Sequence, residues 1–277
     1  MSPLDHSLGL NAAVEGLWHA TADAAREATT GMFGGWTAAL LAKAVLGDPR
    51  ASGSLSAITV NYIDRVPPGS ALTLRSASLG GGRSLSHWRC ELWVDGVEGI
   101  AAVAHIVLSN RRQSDRFVEL TMPEVAPPET FPVFHPPGSF GATMNIHSAF
   151  GADPFNQPTT RSIAWLRESG DRVVDELLLV YVSDVGWPRC WALGASPRPS
   201  STITLSAYIH ATSEEIAACG NDYILSDFVG TRIEHSTVGS RANLWSVKAR
   251  CWRRPSNCAG SGRSELAHPN LTATLPV

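Results

Sequence analysis

The feature that most constrains the fold of this chain is an internal repeat of about 130 residues. The segment LSAITVNYIDRV, residues 55–66, is matched by SSTITLSAYIHAT, residues 200–212, and each contains Ile-Thr, an apolar residue and then a Tyr-Ile pair. GGRSLSHWRCELW, residues 81–93, is similarly matched by VGSRANLW, residues 238–245. Each copy contains a strand pattern, a helical region and then further strands, so the repeat predicts a duplicated α+β domain.

The first copy shows this order most clearly. We predict a strand from Ala13 to Ala22, followed by a helix within GMFGGWTAALLAKAVLGDP, residues 31–49. Its apolar residues recur at helical spacing, and Gly47 and Pro49 end it. Strand patterns joined by PPGS, GGGRS and DG then predict an antiparallel meander. In the second copy TTRSIAWLRES is the first strand and DELLLVYVSDVGWPRCWALG is the helical region.

Proline separates the two copies. The stretch MPEVAPPETFPVFHPPGSFG cannot continue a helix or a central strand. The predicted organisation is an N-terminal domain at 1–112, a Pro-rich linker at 113–158, a C-terminal domain at 159–260 and an irregular tail at 261–277.

Composition excludes several classes of function. The formal net charge of −3 gives no electrostatic reason to expect a nucleic-acid partner. The longest apolar stretch, GIAAVAHIVL, is about half a membrane span. The 5 cysteines include no CxxC pair, which favours neither a disulfide framework nor a zinc site. This pattern fits a reducing compartment, and we expect an intracellular protein located in the cytoplasm. The start MSPLDHSLGL lacks a basic region followed by an apolar run, so we expect no secretory signal. The sequence contains no GxSxG nucleophile motif.

Several segments, in the same order, resemble the type II acyl-CoA thioesterases. They are FGGWTAALLAKAV, NYIDRVPPGSALTLRSASLGGGRSLSHWRCELWVDG, RSIAWLRE, LLLVYVSD and STITLSAYIH. The resemblance implies two tandem hotdog domains, each a long helix wrapped by a curved antiparallel sheet. It also implies hydrolysis of a fatty or polyketide-type acyl thioester carried by CoA or an acyl carrier. No metal or other cofactor and no covalent intermediate would be required, and hotdog sheets often associate into homo-oligomers. A degenerate domain that only binds the thioester is the alternative.

The resemblance places two catalytic groups on this chain. The aspartate of YVSD is Asp184 and the threonine of STI is Thr202. Between an apolar run and Trp187, partial burial of Asp184 would raise its pKa toward that of a useful base, although an aspartate here could also be an ordinary helix cap. Thr202 could hold a water or simply be a strand threonine.

Gly34 and Gly35 lie at the predicted start of the first helix. Free backbone N–H groups at such a position can bind a thioester oxygen or a phosphate, and glycine permits close approach. The same two glycines could instead serve only the packing of the helix start.

The resemblance also implies a catalytic glutamine on the last strand, and the sequence VKARCWRRPSNCAG, residues 247–260, departs from any strand pattern. If this segment is back-translated and read in a shifted frame, it can encode EGEVLATTEQLRW, which has the pattern of a turn and a strand. When the two copies of the repeat are aligned, the glutamine of this string falls opposite His105. We therefore expect a frame change near residue 247. If the tail is genuine, the glutamine is absent, the last strand is disrupted, a sheet edge is left unpaired and activity is weak.

Overall fold

The computed structural model describes residues 2–115, 117–247 and the backbone of 270–275. The first copy forms two helices and six strands. They are α1 (Pro3–Ser7), β1 (Asn11–Val14), β2 (Leu17–Thr21), α2 (Gly34–Leu46), β3 (Ser54–Tyr62), β4 (Ala71–Gly81), β5 (Leu85–Val94) and β6 (Ala102–Ser109).

The predicted strand from Ala13 to Ala22 is instead a hairpin, so this prediction is wrong in detail. β1 and β2 pair with each other, and the chain reverses at Gly16. Gly16 has φ of 74°, a conformation that glycine adopts without steric cost. The reversal makes β1 an edge strand and leaves β2 to pair with β4.

Helix α2 is the core of the first half. Its apolar residues are buried on nearly every side, and Leu40, Leu41, Ala44 and Val45 are fully inaccessible. The helix packs against the faces of β3, β4, β5 and β6 and also against the helical segment of the second copy. The predicted buried helix is therefore confirmed, and it ends at Leu46 before Gly47 as expected.

The second copy repeats this order with a shorter helix. Its elements are β7 (Val133–Phe134), β8 (Met144–Phe150), β9 (Ser162–Glu168), α3 (Glu176–Val182), β10 (Thr204–Ile209), α4 (Ser213–Ala217), β11 (Ile224–Glu234), β12 (Thr237–Ser246) and β13 (Asn270–Leu275). The predicted helical region ends at Val182, and only a 3-10 turn at Arg189–Leu193 follows. A helix could not in any case continue through Pro188, because proline cannot donate the hydrogen bond that a continuing helix needs.

The prediction that 113–158 is entirely linker is also wrong. β7 and β8 lie within it, and β8 pairs with β9 along Met144–Phe150, where the sequence contains no proline. The proline-rich part of the segment covers apolar side chains on the outer sheet face of the second half: Met122, Val125 and Phe131 pack against Trp165 and its neighbours. The indole Nε1 of Trp165 donates to the carbonyl oxygen of Ala126 over 2.9 Å.

The 13 strands of the described residues join in one antiparallel sheet, in the order β1-β2-β4-β5-β6-β3-β10-β13-β12-β11-β9-β8-β7. The two halves meet where β3 pairs with β10, with Val60 opposite Leu205. At this seam the hydroxyls of Thr59 and Ser206 are 2.9 Å apart. One apolar core extends through both halves. The copies therefore form a single folded body.

Strand β13 corrects the expectation of an irregular tail. Its backbone lies between β10 and β12 and pairs with both, in the place that β6 holds between β3 and β5. NLTATL contains no glycine, proline or charge that would oppose a strand. The expected unpaired edge is therefore absent at this position. Most of the segment 247–260, with the proposed frame change, lies outside the described residues.

None of the helices within the described ranges has the length and apolarity needed to cross a membrane.

Candidate active site

The four residues singled out from the sequence lie together at the junction of the two halves. Asp184 lies two residues beyond the end of α3, and Thr202 lies two residues before β10. Gly34 and Gly35 are the first two residues of α2. The site is therefore built from the end of one helix, the start of the other and the approach to the central strand β10.

The Asp184 carboxyl is the centre of this cluster. The Thr202 hydroxyl donates to Asp184 Oδ1 over 3.3 Å. Burial raises the pKa of Asp184 to about 7, while the Thr202 hydroxyl and the Gly35 backbone N–H hold it lower than burial alone would. Asp184 nevertheless keeps partial solvent contact. A carboxyl with a pKa near neutrality can exchange a proton at physiological pH, which an ordinary surface aspartate does not do.

Asp184 is not a helix cap in the described structure. α3 is capped by Asp175, whose side chain accepts from the Leu178 N–H. The 3-10 turn that follows Asp184 starts after Pro188 and has no side-chain cap. The capping alternative raised by the sequence is therefore wrong.

The two glycines differ in what surrounds them. A Cβ on Gly35 would lie 2.2 Å from the carbonyl oxygen of Tyr181, so the close crossing of α2 and α3 requires glycine there. A Cβ on Gly34 would lie 2.5 Å from Asp184 Oδ2. Glycine at 35 is thus required by the packing of the two helices, and glycine at 34 by the close approach of the Asp184 carboxyl.

Tyr62, the last residue of β3, was not identified as a site residue from the sequence. Its hydroxyl donates to the Gly34 carbonyl oxygen over 2.8 Å. Burial and the nearby Asp184 charge raise its pKa well above the usual tyrosine value. The available signal was the Tyr-Ile pair in the repeat, which indicated the duplication and not a role in a site.

A buried ion pair holds the two halves together next to the site. Arg26 donates to Glu168 Oε1 over 2.9 Å, and both side chains are 1% exposed. The same guanidinium donates to the hydroxyls of Thr143 and Tyr181. Since Tyr181 belongs to α3, this network fixes the helix that leads to Asp184. Pairs of distant charged residues such as these leave no pattern in a single sequence.

Within the described residues, no group of three or more His, Cys, Asp or Glu side chains is arranged to hold a metal ion.

Two known domains match consecutive parts of the chain. The acyl-CoA thioesterase N-terminal domain matches residues 23–109, and the acyl-CoA thioesterase C-terminal domain matches residues 121–251. The chain belongs to the type II acyl-CoA thioesterase family. Membership supports an acyl-CoA thioesterase-like activity and an acyl-CoA thioester as substrate. No sequence among the curated proteins matches the chain significantly.

Solved structures confirm the tandem hotdog fold. A conserved hotdog protein of unknown function from Alicyclobacillus acidocaldarius has a TM-score of 0.85 and 22% identity, covering 100% of this chain and 99% of its own. The tesB protein of Mycobacterium avium subs paratuberculosis has a TM-score of 0.72 and 16% identity, covering 99% and 98%. An acyl-CoA thioesterase II from Mycobacterium marinum has a TM-score of 0.69 and 12% identity, covering 98% and 97%. At these identities the likeness concerns the fold alone.

Proposed function

We propose that this thioesterase-family protein hydrolyses acyl thioesters with Asp184 as the base that activates water. The observation that carries the proposal is the carboxyl with a pKa of about 7, in contact with the Thr202 hydroxyl and closely packed against Gly34 at the start of α2. A base whose pKa lies near the working pH combines a useful ionised fraction with a useful driving force for proton transfer.

In the proposed reaction, Asp184 takes a proton from water as the water oxygen forms a bond to the thioester carbonyl carbon. The carbonyl oxygen becomes an oxyanion, for which the backbone N–H groups at the start of α2 are the nearby donors. The Thr202 hydroxyl, whose one proton is directed at Asp184 before the reaction, turns to the oxyanion as Asp184 takes up the water proton. The C–S bond then breaks, and the thiolate leaves and takes up the proton held by Asp184. The products are a carboxylic acid and the free thiol of CoA or an acyl carrier, and no metal or other cofactor takes part.

The test is release of CoA thiol from acyl-CoAs of several chain lengths. We expect Asp184→Asn to lower kcat by about 10²- to 10⁴-fold, the usual contribution of a general base. Asp222→Asn is the matched control, because Asp222 is an exposed aspartate of the same half. Equal rates for wild type and Asp184→Asn, both above the buffer rate, would rule out the assigned base.

A binding protein without hydrolytic activity is the second candidate. The chain contains no glutamine after Gln157, so the glutamine implied by the family resemblance is missing from the second half. A version with the frame-restored string at 247–260 distinguishes the two candidates. Buffer-level rates in wild type, Asp184→Asn and the restored version, together with calorimetric binding of a non-hydrolysable thioether analogue of acyl-CoA, would favour binding alone.

A further inference from the structure

Tyr62 is connected to the site through both its backbone and its side chain. Its backbone N–H donates to the carbonyl oxygen of Ile203, the residue after Thr202, over 3.0 Å. Its hydroxyl donates to the carbonyl oxygen of Gly34 over 2.8 Å. β3 of the first half therefore ends at the site, and the tyrosine ring bridges from the sheet seam to the start of α2.

The Tyr62 hydroxyl and the Asp184 carboxyl both lie against Gly34. The position that a Cβ on Gly34 would occupy lies 2.5 Å from Asp184 Oδ2 and 3.4 Å from Tyr62 Oη. A side chain on Gly34 would therefore collide with the carboxyl, and glycine permits this close approach. The two oxygens are therefore at most about 6 Å apart, a separation that one water hydrogen-bonded to both can bridge.

The chemistry of a hydroxyl decides what Tyr62 can offer such a water. The single Tyr62 proton is directed at the Gly34 carbonyl, which leaves the oxygen lone pairs free to accept a hydrogen bond. Burial and the charge of Asp184 raise the pKa of Tyr62, so the group stays a neutral hydroxyl at working pH.

We propose that Tyr62 orients the attacking water, an inference that rests on the hydrolytic function proposed above. The water donates one hydrogen to the Asp184 carboxylate and the other to Tyr62 Oη, which directs an oxygen lone pair at the thioester carbonyl carbon. The first hydrogen is transferred to Asp184 as the C–O bond forms, and the second stays on the oxygen. The site is thus shared: the second half supplies the base, and the first half supplies the residue that orients the water.

The test is Tyr62→Phe, which removes only the hydroxyl, with Tyr208→Phe as the matched control. Tyr208 is the 44% exposed tyrosine of β10, and its partners across the sheet are Ala57 and Thr272. We expect kcat of Tyr62→Phe to fall about tenfold or more with KM changed less than about twofold, since only the orientation of the water is affected. Tyr208→Phe should match wild type.

A double variant separates this role from a structural one. If Tyr62 and Asp184 act on one water, Tyr62→Phe should cause little further loss in single-turnover rate when Asp184 is already asparagine. Full activity of Tyr62→Phe, or losses that multiply in the double variant, would overturn the proposal while leaving the function of Asp184 intact. An unaffected Asp184→Asn variant would instead overturn the proposed function itself, and the role of Tyr62 with it.

Discussion

Replacing Asp184 by asparagine should make the protein more stable relative to wild type as the pH rises. In the folded protein the pKa of Asp184 is about 7, against an ordinary value of 3.8 in the unfolded chain. Between these values the folded state holds a proton that the unfolded state releases, so wild-type stability falls as the pH increases. Above about pH 7 the folded protein must contain an ionised, largely buried carboxylate.

The size of the effect follows from the shift. Each pKa unit corresponds to about 1.4 kcal/mol. The free energy of unfolding of Asp184→Asn, relative to that of wild type, should therefore increase by about 2 to 3 kcal/mol from about pH 5 to about pH 8. This is an upper range, because partial solvent contact screens the charge. Urea denaturation at the two pH values measures it.

Asp48 provides the control, since it also lies two residues beyond the end of a helix. Hydrogen bonds from Arg50 lower the pKa of Asp48 to about 2. Burial alone would raise this pKa, and a further hydrogen bond from Ser76 helps to lower it. Asp48→Asn should therefore lower the free energy of unfolding by about 1 to 2 kcal/mol, equally at both pH values. The loss is no larger because the Arg50 side chain is exposed to solvent, which weakens the ion pair. A difference between Asp184→Asn and wild type that does not change with pH would refute the argument.

Further predictions concern the same region. Gly35→Ala should destabilise by about 1 to 3 kcal/mol in urea denaturation, because its Cβ meets a backbone carbonyl oxygen; Gly34→Ala should instead lower kcat with a smaller loss of stability, because its Cβ meets the movable Asp184 side chain. The pH profile of kcat/KM should rise through about pH 7 as Asp184 loses its proton, and Thr202→Val should move this limb to higher pH, since the threonine hydroxyl lowers that pKa. Glu168→Gln should cost about 3 to 5 kcal/mol in urea denaturation by leaving its buried arginine partner without a counter-ion; a loss below about 1 kcal/mol would contradict this.

The sequence predicted those parts of the fold that depend on local patterns. The repeat, the buried helix α2 and the meander β3–β6 follow from periodicity and turn residues, all of which are local. The segment Met144–Phe150 was missed because the prolines around it hid a short regular stretch. β13 was missed because its partners are fixed by the sheet, which no pattern within NLTATL indicates.

The candidate site was predictable only in part. Asp184 and Thr202 were placed by the resemblance to the thioesterase family, and the glycine pair by its position at the predicted start of a helix. Which glycine faces the carboxyl and which faces the Tyr181 carbonyl depends on how α2 crosses α3, a tertiary property. The contribution of Tyr62 likewise depends on β3 ending next to the start of α2.

The pairing of β3 with β10 also bears on how this protein responds to dilution. Two separate chains that built such a junction by dimerising would separate when their concentration fell below the dissociation constant. Here the residues on either side of the junction belong to one chain, so the effective concentration of one half for the other does not depend on the amount of protein. Specific activity at nanomolar enzyme should therefore equal that at micromolar enzyme.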